Sequence, residues 1–261
     1  MKKILFIAMP AMVLLTGCKN KISREVNQDH LLYATIWYQN SPENRALYYQ
    51  GYNIAGMRLE QSARVKGQKP KAAIVDIDET MLDNSPFQAQ EVISNEGFSA
   101  DFWNQWSKRK CAKALPGAVN FSRLCDSLGI TLFYISNRST AELEATIKNL
   151  DSLGFAYAKP EYLLLKESDS SKKARREKVS EKYEIVILVG DNLNDFSEVF
   201  ESRGDDWGVG LVEQYKNAFG SRFIILPNPM YGEWEKNIYK TRNLTEEQKY
   251  TLRKKAIKGF K

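Results

Sequence analysis

Ala72-Ala73-Ile74-Val75-Asp76-Ile77-Asp78-Glu79-Thr80 is the stretch whose reading decides the fold. It is a short apolar run that ends in carboxylates. Similar runs recur at 130–135, 162–165, 185–189 and 223–226. Most are solid, with no polar alternation, as expected for strands buried on both faces of a parallel sheet. Helical sequence separates them, for example at 140–153 and 170–182. Strand and helix in alternation predict a doubly wound α/β domain with a central parallel sheet.

Towards the N-terminus, 28–65 reads as helical. Tyr48, Tyr52, Ala55 and Leu59 fall on one face at spacings of four, three and four, a stripe that belongs in a core. Asn40 and Ser41-Pro42 divide this region into two helices, and Gly67-Gln68-Lys69-Pro70 separates it from the first strand. After that strand, 82 to about 114 shows no clear strand and is rich in polar and aromatic residues. It reads as an insertion over the site. The expected plan is a helical segment at 29–70, a core at 71–240 that holds the insertion, and a C-terminal helix at 241–261.

The first residues are of another kind. Met1-Lys2-Lys3 is basic, 4–15 is apolar, and Leu15-Thr16-Gly17-Cys18 closes the run, so 1–17 reads as a signal peptide. The closing tetrad resembles the bacterial lipobox, which implies acylation of Cys18 and a polar tether at 18–28. Several acyl chains on one residue anchor stably where one chain is marginal. Lys19 and Asn20 follow, with no Asp at the second position. The resemblance therefore leans towards the outer membrane of a bacterial envelope.

Composition narrows the function. With 43% hydrophobic and 27% charged residues, the rest of the chain is of ordinary globular type. Two of its six net positive charges sit on Lys2 and Lys3, which leaves +4 after cleavage. Basic residues are scattered among acids, which argues against a nucleic-acid surface. A mild positive bias still favours small anionic substrates. Cys111 and Cys125 read as buried free thiols, although export permits a bridge. The single His30 excludes a His-rich zinc site. The residues leave the number of copies open, a homo-oligomer included.

Ligands of open parallel sheets bind at the carboxyl ends of the strands. Here those ends carry Asp76-Ile77-Asp78, Ser136-Asn137-Arg138 and Gly190-Asp191-Asn192-Leu193-Asn194-Asp195, with Lys172 opening the helix before the fourth strand. Several carboxylates in one crevice repel unless a cation neutralises them. Oxygen-only ligation suits Mg²⁺ held against a phosphate. Asp76 is then placed to attack phosphorus, and Asp78 to protonate the leaving oxygen and later activate water. Ser136 and Lys172 can hold the phosphoryl oxygens.

These motifs resemble the haloacid-dehalogenase (HAD) superfamily, with DxDxT, a Ser, a Lys and GDxxxD in order. The longer strings AIVDIDETMLDNSPF, LFYISNR, GDNLNDF and MYGEWE are similar to the class C acid phosphatases, a lipoprotein family with 5′-nucleotidase activity. The resemblance implies a Rossmann-like core with a mainly helical cap, Mg²⁺, and hydrolysis of phosphomonoesters, notably nucleoside 5′-monophosphates. By position, it makes Asp76 the nucleophile and Asp78 the acid and base, whose backbone carbonyl also meets the metal. Asp191 becomes a metal ligand, with Asp195 near the metal or reaching it through water. Ser136, Asn137 and Lys172 fall at phosphate-site positions, with Lys173 an alternative to Lys172. Trp103 and Tyr231 match aromatics that stack on the nucleoside. Phe87 stands where many members have Tyr.

Three other readings compete. A broad-specificity phosphatase or phosphotransferase fits the same residues. A non-catalytic surface-binding member, such as the plant storage proteins of this family, is expected to lack the nucleophile that Asp76 supplies. Haem binding has no Cys-x-x-Cys-His string to support it.

Overall fold

The computed structural model describes residues 29–241 and 243–260. The expected signal peptide, the tether and Cys18 lie outside the described residues. Two helices open the chain, α1 (Asp29–Asn40) and α2 (Pro42–Ala63). They part at the expected place: the Ser41 hydroxyl accepts from the Asn44 N–H at 3.0 Å, and Pro42 takes the first helical position, where no N–H is needed. Tyr48, Tyr52, Ala55 and Leu59 are all buried.

β1 (Lys71–Val75) follows, then β2 (Leu82–Asp83), α3 (Ser85–Ser94), α4 (Ala100–Ser107) and β3 (Lys113–Ala114). The chain continues through α5 (Ala118–Ser127), β4 (Thr131–Ser139), α6 (Leu143–Ser152), β5 (Leu163–Lys166), α7 (Lys173–Lys182) and β6 (Glu184–Gly190). It closes with α8 (Val209–Gln214), β7 (Phe223–Ile225) and α9 (Glu246–Ala256). β5, β4, β1, β6 and β7 form one parallel sheet in that order. The chain winds outward from β1 to one edge and then returns to build the other side. β1 and β6 therefore flank the switch point, where such sheets open a crevice.

The missing polar alternation now has its cause. Ala73, Val75, Leu132, Tyr134, Ile187 and Val189 join the α2 stripe in one core. Ala72, Ile74, Phe133, Ile135 and Leu188 pack with Val179, Phe196 and Phe200 in another. Successive residues of each strand serve opposite cores. A fully buried Val, Leu, Ile or Phe side chain stabilises by roughly 1.5–3 kcal/mol, so neither face tolerates a polar set.

Two expectations need correction. The 82–114 segment does contain strands: β2 and β3 pair antiparallel, Leu82 opposite Ala114 and Asp83 opposite Lys113. They pinch the two ends of the insertion together, with α3 and α4 between. Two-residue strands are too short to show a period. Of the two thiols only Cys125 is buried; Cys111 is exposed on the connection between α4 and β3, and both are free. No helix among the described residues is long and apolar enough to cross a membrane.

Candidate active site

The site begins where β1 ends. The Asp76 N–H donates to Val189 O at 3.0 Å, which locks the end of β1 to β6. Asp191 follows the last residue of β6. Asn192 caps the short turn that comes next, and Asp195 Oδ2 accepts from the Asn192 N–H at 2.9 Å. Gly190 must be glycine, since a Cβ there would collide with the Asp195 carboxylate. The string thus folds back on itself and sets Asp195 beside Asp76. One oxygen each from Asp76, Asp191 and Asp195 lie within 4.8 Å of one another.

Lys172 supplies the counter-charge. Its buried Nζ donates to Asp195 Oδ1 at 2.6 Å and also to Asp76 Oδ1. Lys173 points elsewhere, towards Glu177 and Glu198, so Lys172 is the lysine of the crevice. Asp191 accepts from Thr80 Oγ1 at 3.2 Å and from Asn228 Nδ2 at 2.8 Å.

One ammonium does not balance three carboxylates, two of them buried and the third partly so. Burial pushes the Asp76 carboxyl up to about 7, against the pull of Lys172 and with Asp195 adding to the rise. Asp191 is pushed up as well, by burial first and then by Asp195 and Asp76. A hard divalent cation fits these donors, because it adds the missing positive charge to an all-oxygen set.

Asp78 is held apart from this cluster. Arg138 grips it with two prongs, Nε to Oδ1 at 2.9 Å and Nη2 to Oδ1 at 2.7 Å. Asn84 Nδ2 donates to Oδ1 at 2.7 Å, and Ser136 Oγ donates to Oδ2 at 3.3 Å. Arg138 is itself buried, and its guanidinium lies 5.6 Å from the centre of the Trp103 ring.

Two cavities meet here. A crevice of about 430 Å³ is lined by Asp76, Asp78, Ser136, Asn137, Lys172, Asp191, Asp195 and Tyr231. Trp103 does not line it. A neighbouring cavity of about 530 Å³ takes in Trp103, Phe87, Phe98 and again Tyr231. There the Trp103 ring stands edge-on to Phe87 at 5.2 Å, and its Nε1 donates to Glu142 Oε1 at 2.8 Å. Tyr231 is the wall the two spaces share.

The family model for the HAD superfamily, subfamily IIIB (acid phosphatase), matches residues 18–234. The chain belongs to this acid phosphatase subfamily. Its fold is similar to the class C acid phosphatase of Bacillus anthracis, with a TM-score of 0.87 and 39% identity over 91% of this chain and 100% of that one. That enzyme has also been solved with tungstate bound. Among curated relatives, a stem 31 kDa glycoprotein of Glycine max is 30% identical over 60% of this chain. Acid phosphatase 1 of Solanum lycopersicum is 25% identical over 74% of it and 76% of its own length. The chain spans 58% and 60% of the length of the stem 31 kDa and 28 kDa glycoproteins it matches.

Three further residues meet the crevice side chains: Arg138, Asn84 and Arg175. Arg138 and Asn84 lie inside the family-like strings LFYISNR and AIVDIDETMLDNSPF, so the sequence does mark them. Arg175 donates to Ser136 O at 2.6 Å and to Asn137 Oδ1 at 2.7 Å. It sits in a basic run that reads like any solvated helix face, and nothing in sequence marks it.

Proposed function

We propose that this protein is a Mg²⁺-dependent acid phosphatase that hydrolyses phosphomonoesters, nucleoside 5′-monophosphates among them, through an aspartyl-phosphate on Asp76. One observation carries the reading. Asp76, Asp191 and Asp195 converge at the strand ends, with Lys172 bonded to Asp76 and Asp195, while Asp78, two residues on, is held separately by Arg138. Asp76, Asp191, Asp195 and the Asp78 backbone carbonyl would hold the metal. Mg²⁺ in such a site neutralises charge on the phosphoryl oxygens.

The protein's own groups do the rest. An Asp76 carboxylate oxygen bonds to phosphorus as the ester P–O bond breaks. Asp78 gives its proton to the leaving oxygen. Asp78 then takes a proton from water, whose oxygen attacks phosphorus and breaks the bond to Asp76, releasing phosphate. Lys172, Ser136 and Asn137 hold the phosphoryl oxygens in place. The tungstate complex of the Bacillus anthracis enzyme supports a site shaped for a tetrahedral oxyanion. The aromatic cavity beyond Tyr231 suits a leaving group that carries a planar ring, such as a nucleoside with its base, with Trp103 and Tyr231 as the stacking walls. A lipid anchor at Cys18 in the outer membrane completes the proposal.

Asp76→Asn is expected to abolish turnover while the melting transition stays within a few degrees. A chelator is expected to inactivate the wild type, and added Mg²⁺ to restore it. Turnover that survives in Asp76→Asn, or full activity without metal, rejects the mechanism. A panel of nucleotides, sugar phosphates and aryl phosphates tests substrate preference. Labelled palmitate, incorporated by the wild type and lost in Cys18→Ser, tests the anchor.

A further inference from the structure

Glu79 belongs to the same turn as Asp76 and Asp78, yet no step above uses it. Its side chain is completely buried, at 0% exposure. Its φ is 52°, in the left-handed region that residues with a Cβ seldom occupy. Strain of this kind persists only where the surroundings over-determine it. A buried carboxyl also costs free energy unless its oxygens find partners. Both do. Oε1 accepts from the Asn84 N–H at 2.9 Å, and Oε2 accepts from the Tyr231 hydroxyl. The Glu79 carbonyl accepts from the Tyr48 hydroxyl at 2.6 Å.

Asn84 extends the chain. Its side-chain amide donates to Asp78 Oδ1 at 2.7 Å, and its Oδ1 accepts from Trp106 Nε1 at 2.8 Å. Connected contacts therefore run from Tyr231, on the wall shared by both cavities, through Glu79 and Asn84 to Asp78.

We infer that Glu79 is a positioning residue that joins the leaving-group cavity to the acid: it holds the Tyr231 wall and, through Asn84, aims Asp78 at the departing oxygen. The inference rests on the reading of Asp78 as that acid. Glu79 in this role serves proton delivery and has no part in the attack on phosphorus. Its loss weighs on esters whose leaving oxygen needs a proton and spares those that depart unaided.

Benzyl and 4-nitrophenyl phosphate make the comparison, because they are close in size and far apart in leaving ability. The quantity to follow is kcat/KM, which reports formation of the phosphoryl-enzyme and not its hydrolysis. Glu79→Gln keeps the shape and one acceptor; Glu79→Met removes both. In Glu79→Met the benzyl ester is expected to lose about tenfold, a part of the roughly 10²–10⁴ that a positioned acid contributes, and the nitrophenyl ester under about twofold. Glu79→Gln is expected to fall between this and wild type. Tyr231→Phe, which removes only the hydroxyl, is expected to show the same selective loss. Combined with Glu79→Gln it should add nothing, since both variants cut one chain.

Equal losses on both esters, or additive losses in the double variant, overturn the inference. If Glu79→Met does not fold, the Glu79→Gln and Tyr231→Phe arms decide alone. Asp78→Asn, run in parallel, separates the two levels of the argument. Should Asp78→Asn damage both esters equally, the acid assignment is wrong. Should it be selective while the Glu79 variants are not, only the role of Glu79 falls.

Discussion

The crevice at the strand ends and the aromatic cavity beside it share Tyr231 and are otherwise built from different materials. The crevice is lined by carboxylates that leave the ends of β1 and β6, by Ser136 and Asn137 of β4, and by Lys172, which opens α7. A rigid sheet fixes their separation. The cavity draws on α1, α3, α4, the segment after β7 and α9, and its walls combine aromatic rings with charged side chains. The difference teaches a division of labour. On the proposed function, the sheet would hold the phosphoryl group whatever it is attached to, and the insertion and the C-terminal segment would choose among the groups attached.

Substitutions should separate along the same line. The largest effect is expected from Lys172→Met, which removes the ammonium bonded to Asp76 and Asp195. Loss of one preorganised charge at a reacting centre costs about 10²–10³ in kcat. The loss should be equal for nucleotides and small aryl phosphates. A steady-state comparison of the two checks this, and a loss confined to nucleotides breaks the division.

A middle-sized effect is expected in the cavity. Trp103→Ala with Tyr231→Ala removes two stacking faces worth about 1–3 kcal/mol per base. KM for a 5′-nucleotide should rise roughly tenfold or more, while kcat for a small aryl phosphate changes little. If the rings serve only the core, both substrates suffer together and the melting temperature falls.

The smallest effect sharpens the boundary. Lys173 is half-exposed and pairs with Glu177 and Glu198 on the surface, where ion pairs contribute about 0–1 kcal/mol. Lys173→Met should leave activity on every substrate within about twofold of wild type. A large loss would return the phosphate lysine to position 173.

The same division explains what could be read in the sequence. Asp76, Asp78, Ser136, Asn137, Asp191 and Asp195 all follow closely on an apolar run, so finding the strands pointed to most of the crevice. Asp76, Asp78, Ser136, Asn137, Lys172, Asp191, Asp195 and Tyr231 all reach it. The cavity was less legible, because its walls come together only in three dimensions. Phe87 and Trp103 meet α9 across a long stretch of chain, and no local period announces such a meeting. Arg138 escaped for another reason. An arginine after a strand reads as a solvated charge until burial and the two-pronged grip on Asp78 are seen. β2 and β3 were simply too short to leave a trace.

The position of β1 has a consequence for how the molecule is made. β1 is the first strand in the chain and the middle strand of the sheet, and its two neighbours begin at Thr131 and Glu184. A growing polypeptide therefore presents an apolar strand with both edges open until β4 is added, and with one edge open until β6 is added, by which point more than half of the chain beyond β1 has been made. Pairings across such separations close large loops and form slowly, and open strand edges invite association with other chains meanwhile. Nor does a partial chain hold a partial site. Translated only through β5, it contains Asp76 and Asp78 but neither Lys172 nor Asp191 nor Asp195, so the crevice comes into being in one late step.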